Sequence, residues 1–435
     1  MEALGAAALV FGLLILLLGS GLWVFIALLA ASMAALHLGL GFPPERIGAI
    51  AKGVLWRASS GWELAAVPMF MLMGELIFRT DFSDRLFASL EPLVVKVPGR
   101  LFHSNIIGCT LFAAVSGSST ATTATVGRMT STALLARRYD ARLAVGSLAG
   151  AGSLGLLIPP SIMMIIYGVL AEVSITKLFI AGLLPGLLVA GLYSLYIGTR
   201  CLAAPSLAPA MTDVGRRLSW GLAARGFGPV AFLILVVLGG IYSGVATPSE
   251  AAAVGVVATV LLTLLQGQLT FRLFLAALLS ALRSSCMIGT ILASAALLSA
   301  TMGYLHVPAT IARTFGELGL SPYALVAVLA AFYILLGLIL DGVSIVVMTL
   351  PITLPLVQQA GFDPVWYGVF LVLMVELGLM TPPIGFNLFV LQTVTGQPLG
   401  LIARAAVPFF FLMVLATAII TVLPQIALFL PSALD

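Results

Sequence analysis

Long uncharged stretches dominate the hydrophobic and polar pattern of the chain. No Asp, Glu, Lys or Arg lies between Glu2 and Glu45 or between Arg225 and Glu250, and few follow Glu317. A helix of about 20 apolar residues spans the hydrocarbon core of a bilayer. The pattern therefore predicts an all-α polytopic membrane protein.

The composition supports this prediction and excludes several other classes. Of the 435 residues, 61% are hydrophobic and 8% are charged, whereas soluble domains carry about 25% charged residues. The net charge of +4 is spread along the chain, so we expect no nucleic-acid partner. The three cysteines show no C-x-x-C spacing and the three histidines are far apart. We therefore expect neither a cysteine/histidine metal site nor an organic cofactor.

The chain repeats itself. Residues 155–160 (GLLIPP) are nearly the same as residues 378–383 (GLMTPP), which lie 223 positions later. Other pairs at the same offset are Pro185 with Pro408 and Ser20-Gly21 with Ser243-Gly244. The Ser-Gly-Ser-Ser sequence at 116–119 matches Asp-Gly-Val-Ser at 341–344 with an offset of 225, which predicts a two-residue indel. Such landmarks indicate a duplicated unit.

Both halves show the same succession of elements. The pattern predicts two helices, an amphipathic stretch, a third span, a hairpin bent at a Ser/Gly tip, a span broken at Pro-Pro, and a last helix. In the first half these are 4–18, 22–40, 45–57, 62–79, 99–137, 141–171 and 177–200. In the second half they are 227–242, 246–266, 269–276, 279–303, 322–358, 364–395 and 404–430. The predicted domains are two repeats, 1–200 and 227–435, joined by a polar cytoplasmic linker, 201–226.

The number of crossings predicts how the two repeats are oriented. Five full crossings per half is an odd number, so the halves must be inserted with opposite topologies. Most Lys and Arg residues then fall on the cytoplasmic side, with exceptions at Arg46, Lys52 and Arg57. Both termini are predicted to be periplasmic. A re-entrant hairpin and two full crossings give the same charge pattern, so charge does not distinguish them.

Inverted repeats with interrupted helices point to a transporter binding site. A helix broken in the membrane exposes carbonyl and N–H groups that lipid cannot satisfy. The first tip, Ser116-Gly117-Ser118-Ser119-Thr120, adds many hydroxyls without a charge. Oxygen atoms of this kind suit Na⁺, and half-helix N-termini attract anions. Alternatively, these hydroxyls serve helix packing.

Two acidic residues lie within apolar sequence in the second half. Asp341, at the second tip, is interpreted as a Na⁺ ligand, because a carboxylate within the membrane is functional by default. The alternative is that Asp341 is a helix cap. Glu376, just before the second break, could line the cavity, carry a proton or pair with Arg128. Asn387 could contact a ligand or bridge helices. Tyr and Trp residues at span ends are interpreted as interfacial anchors.

Other functional classes fit the sequence poorly. An intramembrane aspartyl protease needs two opposed aspartates, but Asp140 lies among arginines at a membrane edge. A serine hydrolase needs a nearby base, and none of the histidines lies in the tip or break motifs. A channel does not explain the duplication. We therefore expect a transporter and not an enzyme.

The tip and break motifs resemble those of a known family. Residues 108–119 (GCTLFAAVSGSS), 151–161 (AGSLGLLIPPS) and 381–387 (TPPIGFN) are similar to the large membrane (DctM-like) subunit of TRAP, or tripartite ATP-independent periplasmic, transporters. The resemblance covers essentially the whole chain. The wider superfamily of divalent-anion/Na⁺ symporters shares the architecture but usually has Ser-Asn-Thr at both tips.

The resemblance implies an elevator mechanism with at least two Na⁺ sites. Hairpins and broken helices would form a transport domain that slides against a scaffold. The implied Na⁺ ligands are Ser116, Gly117, Ser118, Gly152 and Gly155 for one ion and Asp341, Gly342, Ser344, Gly378 and Thr381 for another. The implied substrate-binding residues are Ser118, Ser119, Thr120, Pro160, Ser161, Pro383 and Asn387.

The resemblance also implies partners and a location. A periplasmic DctP-like binding protein would deliver a C4-dicarboxylate, sialic acid or similar carboxylate. A small four-helix DctQ-like subunit would be a separate chain, and the complex would lie among the lipids of the bacterial inner membrane. The alternative is a Na⁺- or H⁺-coupled organic-anion symporter that needs no binding protein.

Overall fold

The protein is described here by a computed structural model that covers residues 3–209, 220–317, 321–338, 340–382 and 385–434. Every regular element in these ranges is helical, which confirms the all-α fold. Ten α-helices belong to each half of the described chain. The helices do not correspond one to one, because one helix of the second half, Phe271–Tyr304, takes the place of two in the first half, Pro44–Ser59 and Ala66–Phe78.

The first half contains α1 to α10. Their bounds are α1 Ala3–Gly19, α2 Val24–Leu40, α3 Pro44–Ser59, α4 Ala66–Phe78, α5 Phe82–Val94, α6 Phe102–Ser116, α7 Ser119–Ala136, α8 Ala141–Gly152, α9 Ile162–Ala171 and α10 Ile175–Ala203. Short 3₁₀ helices lie at Trp62–Ala65, Ser153–Gly155 and Pro205–Leu207. The predicted hairpin is the antiparallel pair α6 and α7, and the predicted broken span is α8 followed by α9.

The second half contains α11 to α20. Their bounds are α11 Trp220–Tyr242, α12 Pro248–Leu265, α13 Phe271–Tyr304, α14 Val307–Glu317, α15 Pro322–Gly337, α16 Gly342–Gln359, α17 Pro364–Leu379, α18 Phe386–Thr395, α19 Leu399–Val422 and α20 Gln425–Leu434. Here α15 and α16 form the hairpin, and α17 and α18 form the broken span.

Helix caps show that one offset holds across the hairpins and breaks. Asp140 caps α8 and Asp363 caps α17 (363 − 140 = 223), each accepting hydrogen bonds from backbone N–H groups of the first turn. Ser118 caps α7 and Asp341 caps α16, again 223 positions apart. The predicted two-residue indel is therefore wrong, because the structural equivalent of Asp341 is Ser118.

The third span differs between the halves. In the first half, α3 and the segment Trp62–Phe78 meet at an angle of 52°, at a junction that contains Gly61. In the second half, α13 is one continuous helix of 34 residues. The predicted separation of 269–276 from 279–303 is wrong, because no Gly or Pro interrupts α13 before Gly289.

Other predicted boundaries also change. The hydrophobic pattern left α5 and α14 unassigned. The linker 201–226 is shorter than predicted, since α10 continues to Ala203 and α11 begins at Trp220; its residues 210–219 lie outside the described ranges. The predicted last helix 404–430 is two helices, because Pro424 cannot donate the backbone hydrogen bond that would continue α19.

The described helices are suited to a membrane. Five are long and apolar enough to cross it, or six when the bent pair is counted as one span. Large apolar side chains are exposed on the outer surface, including Leu235, Leu265 and Phe411. By contrast, α17 is buried from Trp366 to Leu379. The second hairpin, α9 and α10 pack against this central helix, while α4 packs on α12 and α13.

Candidate functional site

The first hairpin turns at a glycine that no other residue could replace without strain. Gly117 follows α6 with φ +61°, and Ser118 then caps α7 by accepting a hydrogen bond from Ala121 N. A Cβ on Gly117 would lie 2.7 Å from the carbonyl oxygen of Pro160. The tip therefore lies directly against the first helix break.

The first break presents its backbone to this tip. Ser161 caps α9, and the N–H of Ile162 donates to the carbonyl oxygen of Gly117 at 3.3 Å. A Cβ on Gly155 would lie 2.5 Å from Ser119 Cα. Both the tip and the break therefore need glycine, which has no side chain, where they meet.

The second tip carries its own carboxylate. Asp341 accepts hydrogen bonds from Val343 N at 3.1 Å and Ser344 N at 3.2 Å, and also from the Ser344 hydroxyl. The structure therefore confirms the interpretation of Asp341 as a helix cap. Its role as a Na⁺ ligand stays a prediction, and so do the roles of Gly342 and Ser344, which are buried beside it.

The second break closes against the second hairpin. A Cβ on Gly378 would lie 2.8 Å from Gly337 Cα, so the two backbones touch. After the break, the Thr381 hydroxyl donates to Leu377 O at 2.6 Å, and Gly385 N donates to Thr381 O at 3.0 Å. Pro383 lies outside the described residues.

The start of α9 lies between the two tips. Ile162 contacts Gly117 of the first tip, and the next residue, Met163, lies 3.1 Å from a Cβ built on Gly342 of the second tip. The N-termini of α7, α9 and α16 are therefore close neighbours. The structure brings Ser118, Ser161 and Asp341, the caps of these three helices, into one region.

A buried polar cluster joins the first tip to both breaks. The Ser119 hydroxyl lies 3.0 Å from Gly152 O, 2.9 Å from Glu376 Oε2 and 2.6 Å from Asn387 Nδ2. The other carboxylate oxygen, Glu376 Oε1, accepts from Leu156 N at 3.2 Å. Ser119, Glu376 and Asn387 are almost completely buried. Asn387 therefore bridges helices, one of the two roles that the sequence left open.

The pairing of Glu376 with Arg128 is not formed. Arg128 is exposed, and its guanidinium carbon lies 5.6 Å from the ring centroid of Phe78. No salt bridge to Glu376 occurs within the described ranges. The carboxyl group is thus enclosed by neutral hydrogen-bonding groups.

Several buried oxygens around the first tip lack hydrogen-bond donors. Among the described residues, Thr123 Oγ1, Thr125 Oγ1 and Asn387 Oδ1 have no hydrogen-bond partner, and a Cβ on Gly152 would overlap Thr123 Oγ1. Buried polar groups normally find partners. Hydroxyl, carbonyl and carboxylate oxygens are the ligands of hard cations, so these residues fit Na⁺. Where the chain is described, no group of three His, Cys, Asp or Glu residues could hold another metal.

A second polar cluster, which was not predicted from the sequence, lies behind the second tip. Tyr333 Oη lies within 3.2 Å of the hydroxyls of Thr349, Thr353 and Tyr367, which joins α15, α16 and α17. Tyr367 and Trp366 are fully buried, so their interpretation as interfacial anchors is wrong. Thr349 and Thr353 lie one helical turn apart on one face of α16, and this spacing was the signal in the sequence that could have predicted the cluster.

A separate cavity of about 510 Å³ opens away from the tips. It lies between the end of α9 and the starts of α10 and α12. Trp62, Glu63 and Glu172 are among its lining residues. In the predicted topology this cavity faces the periplasm.

Comparison with known proteins gives a family match along most of the chain. Residues 11–426 match the family model described as "Tripartite ATP-independent periplasmic transporter, DctM component". The chain is 36% identical over 392 residues to the C4-dicarboxylate TRAP transporter large permease protein DctM of Pseudomonas aeruginosa. That alignment covers 90% of this chain and 91% of the relative.

Two further matches extend this comparison. The chain is 29% identical over 428 residues to the isethionate TRAP transporter permease protein DctMQ of Oleidesulfovibrio alaskensis, covering 96% of this chain and 65% of the relative. Among solved structures, the Alcanivorax borkumensis YdaH transporter matches with a TM-score of 0.63 and 15% identity, covering 89% of each chain. The structural match supports the fold alone.

Proposed function

Since this chain belongs to the DctM family of tripartite ATP-independent periplasmic transporters, we propose that it takes up a small organic anion by Na⁺-coupled secondary transport. It is a multi-pass membrane protein and the large permease of such a system. The proposal concerns the coupling ion, the substrate and the movement that links them.

The oxygen-rich first tip is the observation that carries the Na⁺ proposal. Carboxylate, hydroxyl and carbonyl oxygens meet there around Ser119, Gly152 and Glu376, with no positive partner among the residues that the structure describes. A bound cation would engage the orphaned oxygens of this cluster. The residues proposed to hold Na⁺ here are Ser116, Gly117, Ser118, Gly152 and Gly155. At the second tip they are Asp341, Gly342, Ser344, Gly378 and Thr381.

The substrate is proposed to bind between the tips. The N-termini of α7 and α9, whose caps carry no charge, lie in that region, and the dipole at a helix N-terminus attracts anions. Ser118, Thr120 and Ser161 contribute hydroxyls nearby. The Pseudomonas relative is named for C4-dicarboxylates and the Oleidesulfovibrio relative for isethionate. A small carboxylate is the substrate class we propose.

An elevator movement is proposed from the packing. Helices α6 to α9 and α15 to α18 hold the tips and breaks around the buried α17. Among the remaining helices, α13 packs on α2 and α4, while α19 packs on α8 and α10 packs on α17 at the boundary between the two groups. The first group would move as the transport domain against the second group.

Two partner proteins are part of the proposal. A periplasmic binding protein would deliver the anion, and a small membrane subunit would complete the complex in the bacterial inner membrane. The name DctMQ of the longer Oleidesulfovibrio relative supports the second partner. The alternative is a self-sufficient symporter that needs no binding protein.

Reconstitution distinguishes these possibilities. The chain would be placed in proteoliposomes with its small subunit, and uptake of labelled C4-dicarboxylates and sialic acid measured with and without the binding protein. We expect uptake that requires both an inward Na⁺ gradient and the binding protein. Uptake by the chain alone would contradict the three-part system, and uptake driven by a pH gradient without Na⁺ would contradict Na⁺ coupling.

A further inference from the structure

The Ser119 hydroxyl has more polar neighbours than it can serve. Asn387 Nδ2 donates to it at 2.6 Å, so Ser119 Oγ is an acceptor there. Its single hydrogen can then go to Gly152 O at 3.0 Å or to Glu376 Oε2 at 2.9 Å, but not to both. The two acceptors compete for one hydrogen.

The hydrogen bonds around Glu376 fix how its side chain is oriented. Leu156 N–H donates to Oε1 at 3.2 Å, so Oε2 is the oxygen that faces Ser119. The first repeat has no equivalent carboxylate, because 223 positions earlier stands Ser153, whose hydroxyl bonds Gly150 O within the first repeat at 2.6 Å. The second repeat therefore supplies an acidic group to the tip of the first.

We propose that Glu376 is a positioning residue for the cation site of the first tip, and that it acts by drawing the Ser119 hydrogen away from the Gly152 carbonyl. With that hydrogen on the carboxylate, Gly152 O is free to serve a cation. With the hydrogen on Gly152 O, one of the two lone pairs of the carbonyl is occupied, and the positive hydroxyl hydrogen opposes a cation at this oxygen. This inference rests on the proposed Na⁺ coupling and adds a residue from the opposite repeat.

A conservative substitution separates this role from packing. In Glu376→Gln the amide oxygen must accept from Leu156 N–H, so the amide nitrogen faces Ser119 and donates to it. The Ser119 hydrogen then returns to Gly152 O, and the hydrogen bonds of residue 376 with Leu156 N–H and Ser119 are both kept. We expect a folded protein in which the Na⁺ concentration for half-maximal thermal stabilisation in detergent rises about tenfold, which corresponds to about 1.4 kcal/mol.

A double substitution distinguishes the hydrogen relay from a direct effect of charge. Ser119→Ala removes the competing hydrogen, so Gly152 O is free whatever residue 376 is. We expect Ser119→Ala alone to keep the Na⁺ half-point within about twofold of the unmodified protein. In the Ser119→Ala background, Glu376→Gln should then change the half-point by less than about twofold.

The outcomes identify which idea fails. A tenfold effect of Glu376→Gln that persists in the Ser119→Ala background would overturn the relay, as would a tenfold rise in Ser119→Ala alone. No effect of Glu376→Gln, while the unmodified protein is stabilised by Na⁺, would overturn this inference and leave the proposed function intact. No Na⁺ stabilisation of the unmodified protein would contradict the coupling proposal itself. Asp363→Asn, at the exposed start of the same helix, is the matched control and should leave the half-point unchanged.

Discussion

The two hairpin tips share a helix cap at the equivalent position but distribute charge differently. The first tip has no formal charge of its own, is largely buried, and receives Glu376 from the other half of the chain. The second tip carries Asp341, which is partly exposed and is held by its own helix N-terminus. Duplication thus preserved the cap, whereas Gly117 of the first turn corresponds to Leu340, and both carboxylates come from the second repeat. The shared geometry and the divided chemistry can be tested separately.

The largest effect is expected where hairpin and break touch through glycine. Gly155→Ala would place a Cβ 2.5 Å from Ser119 Cα, and Gly378→Ala would place one 2.8 Å from Gly337 Cα. Overpacking of this kind costs about 1–3 kcal/mol or more. Both variants should unfold at clearly lower temperature in detergent. Gly191→Ala, which has nothing within 4 Å of its Cβ, is the control; an equal loss there would contradict the close-contact argument.

The next effect concerns the charge at the second tip. Asp341→Ala should lose about 1 kcal/mol of stability with the cap and also lose Na⁺-dependent uptake. Asp341→Asn keeps a capping side chain, so we expect nearly unchanged thermal stability with a weaker Na⁺ dependence. Equal Na⁺ dependence in Asp341→Asn and the unmodified protein would show that the carboxylate serves only as a cap.

A smaller effect is expected at the equivalent cap of the first tip. Ser118→Ala removes two hydrogen bonds, from Ala121 N at 3.4 Å and with Thr120 Oγ1 at 3.2 Å, and no charge. A cap lost in this way costs about 0.5–1 kcal/mol. Thermal unfolding should therefore show a loss smaller than in Asp341→Ala. A larger loss of thermal stability in Ser118→Ala than in Asp341→Ala would mean that the first tip depends more on its own cap than on Glu376.

The smallest effect is expected at Arg128. This side chain is exposed and distant from any acidic partner in the described ranges, so Arg128→Gln should change stability by less than about 0.5 kcal/mol. The half-point for Na⁺ should also stay the same. A rise of the Na⁺ half-point comparable to that expected for Glu376→Gln would indicate that Arg128 and Glu376 meet in another state of the transporter.

Much of the fold could be predicted from local sequence signals. The Ser-Gly tips and Pro-Pro breaks identified the hairpins and broken spans because glycine and proline restrict or release the backbone in known ways. The repeat offset of 223 followed from the Pro-Pro breaks. The continuous α13 was missed, because a polar start to a helix looks like a separate amphipathic stretch when the following residues are apolar.

The candidate site was only partly predictable. Asp341 and Glu376 stood out because acidic residues are rare in apolar sequence, but their partners depend on tertiary packing. Ser119 is 257 positions from Glu376, and no local pattern connects them. The alignment of the tips also misled, since matching Gly117 with Gly342 hid the equivalence of Ser118 and Asp341. The helix caps, whose positions follow from helix geometry, give the correct alignment of the two tips.

The uninterrupted α13 has a consequence for the lipid around the protein. A helix of 34 residues is about 51 Å long at 1.5 Å per residue, whereas the hydrocarbon core is about 30 Å thick. The helix must lean strongly or extend past the hydrocarbon at its ends. Acyl-chain length therefore sets the mismatch that this helix experiences, and vesicles of different thickness should favour different tilts of the protein.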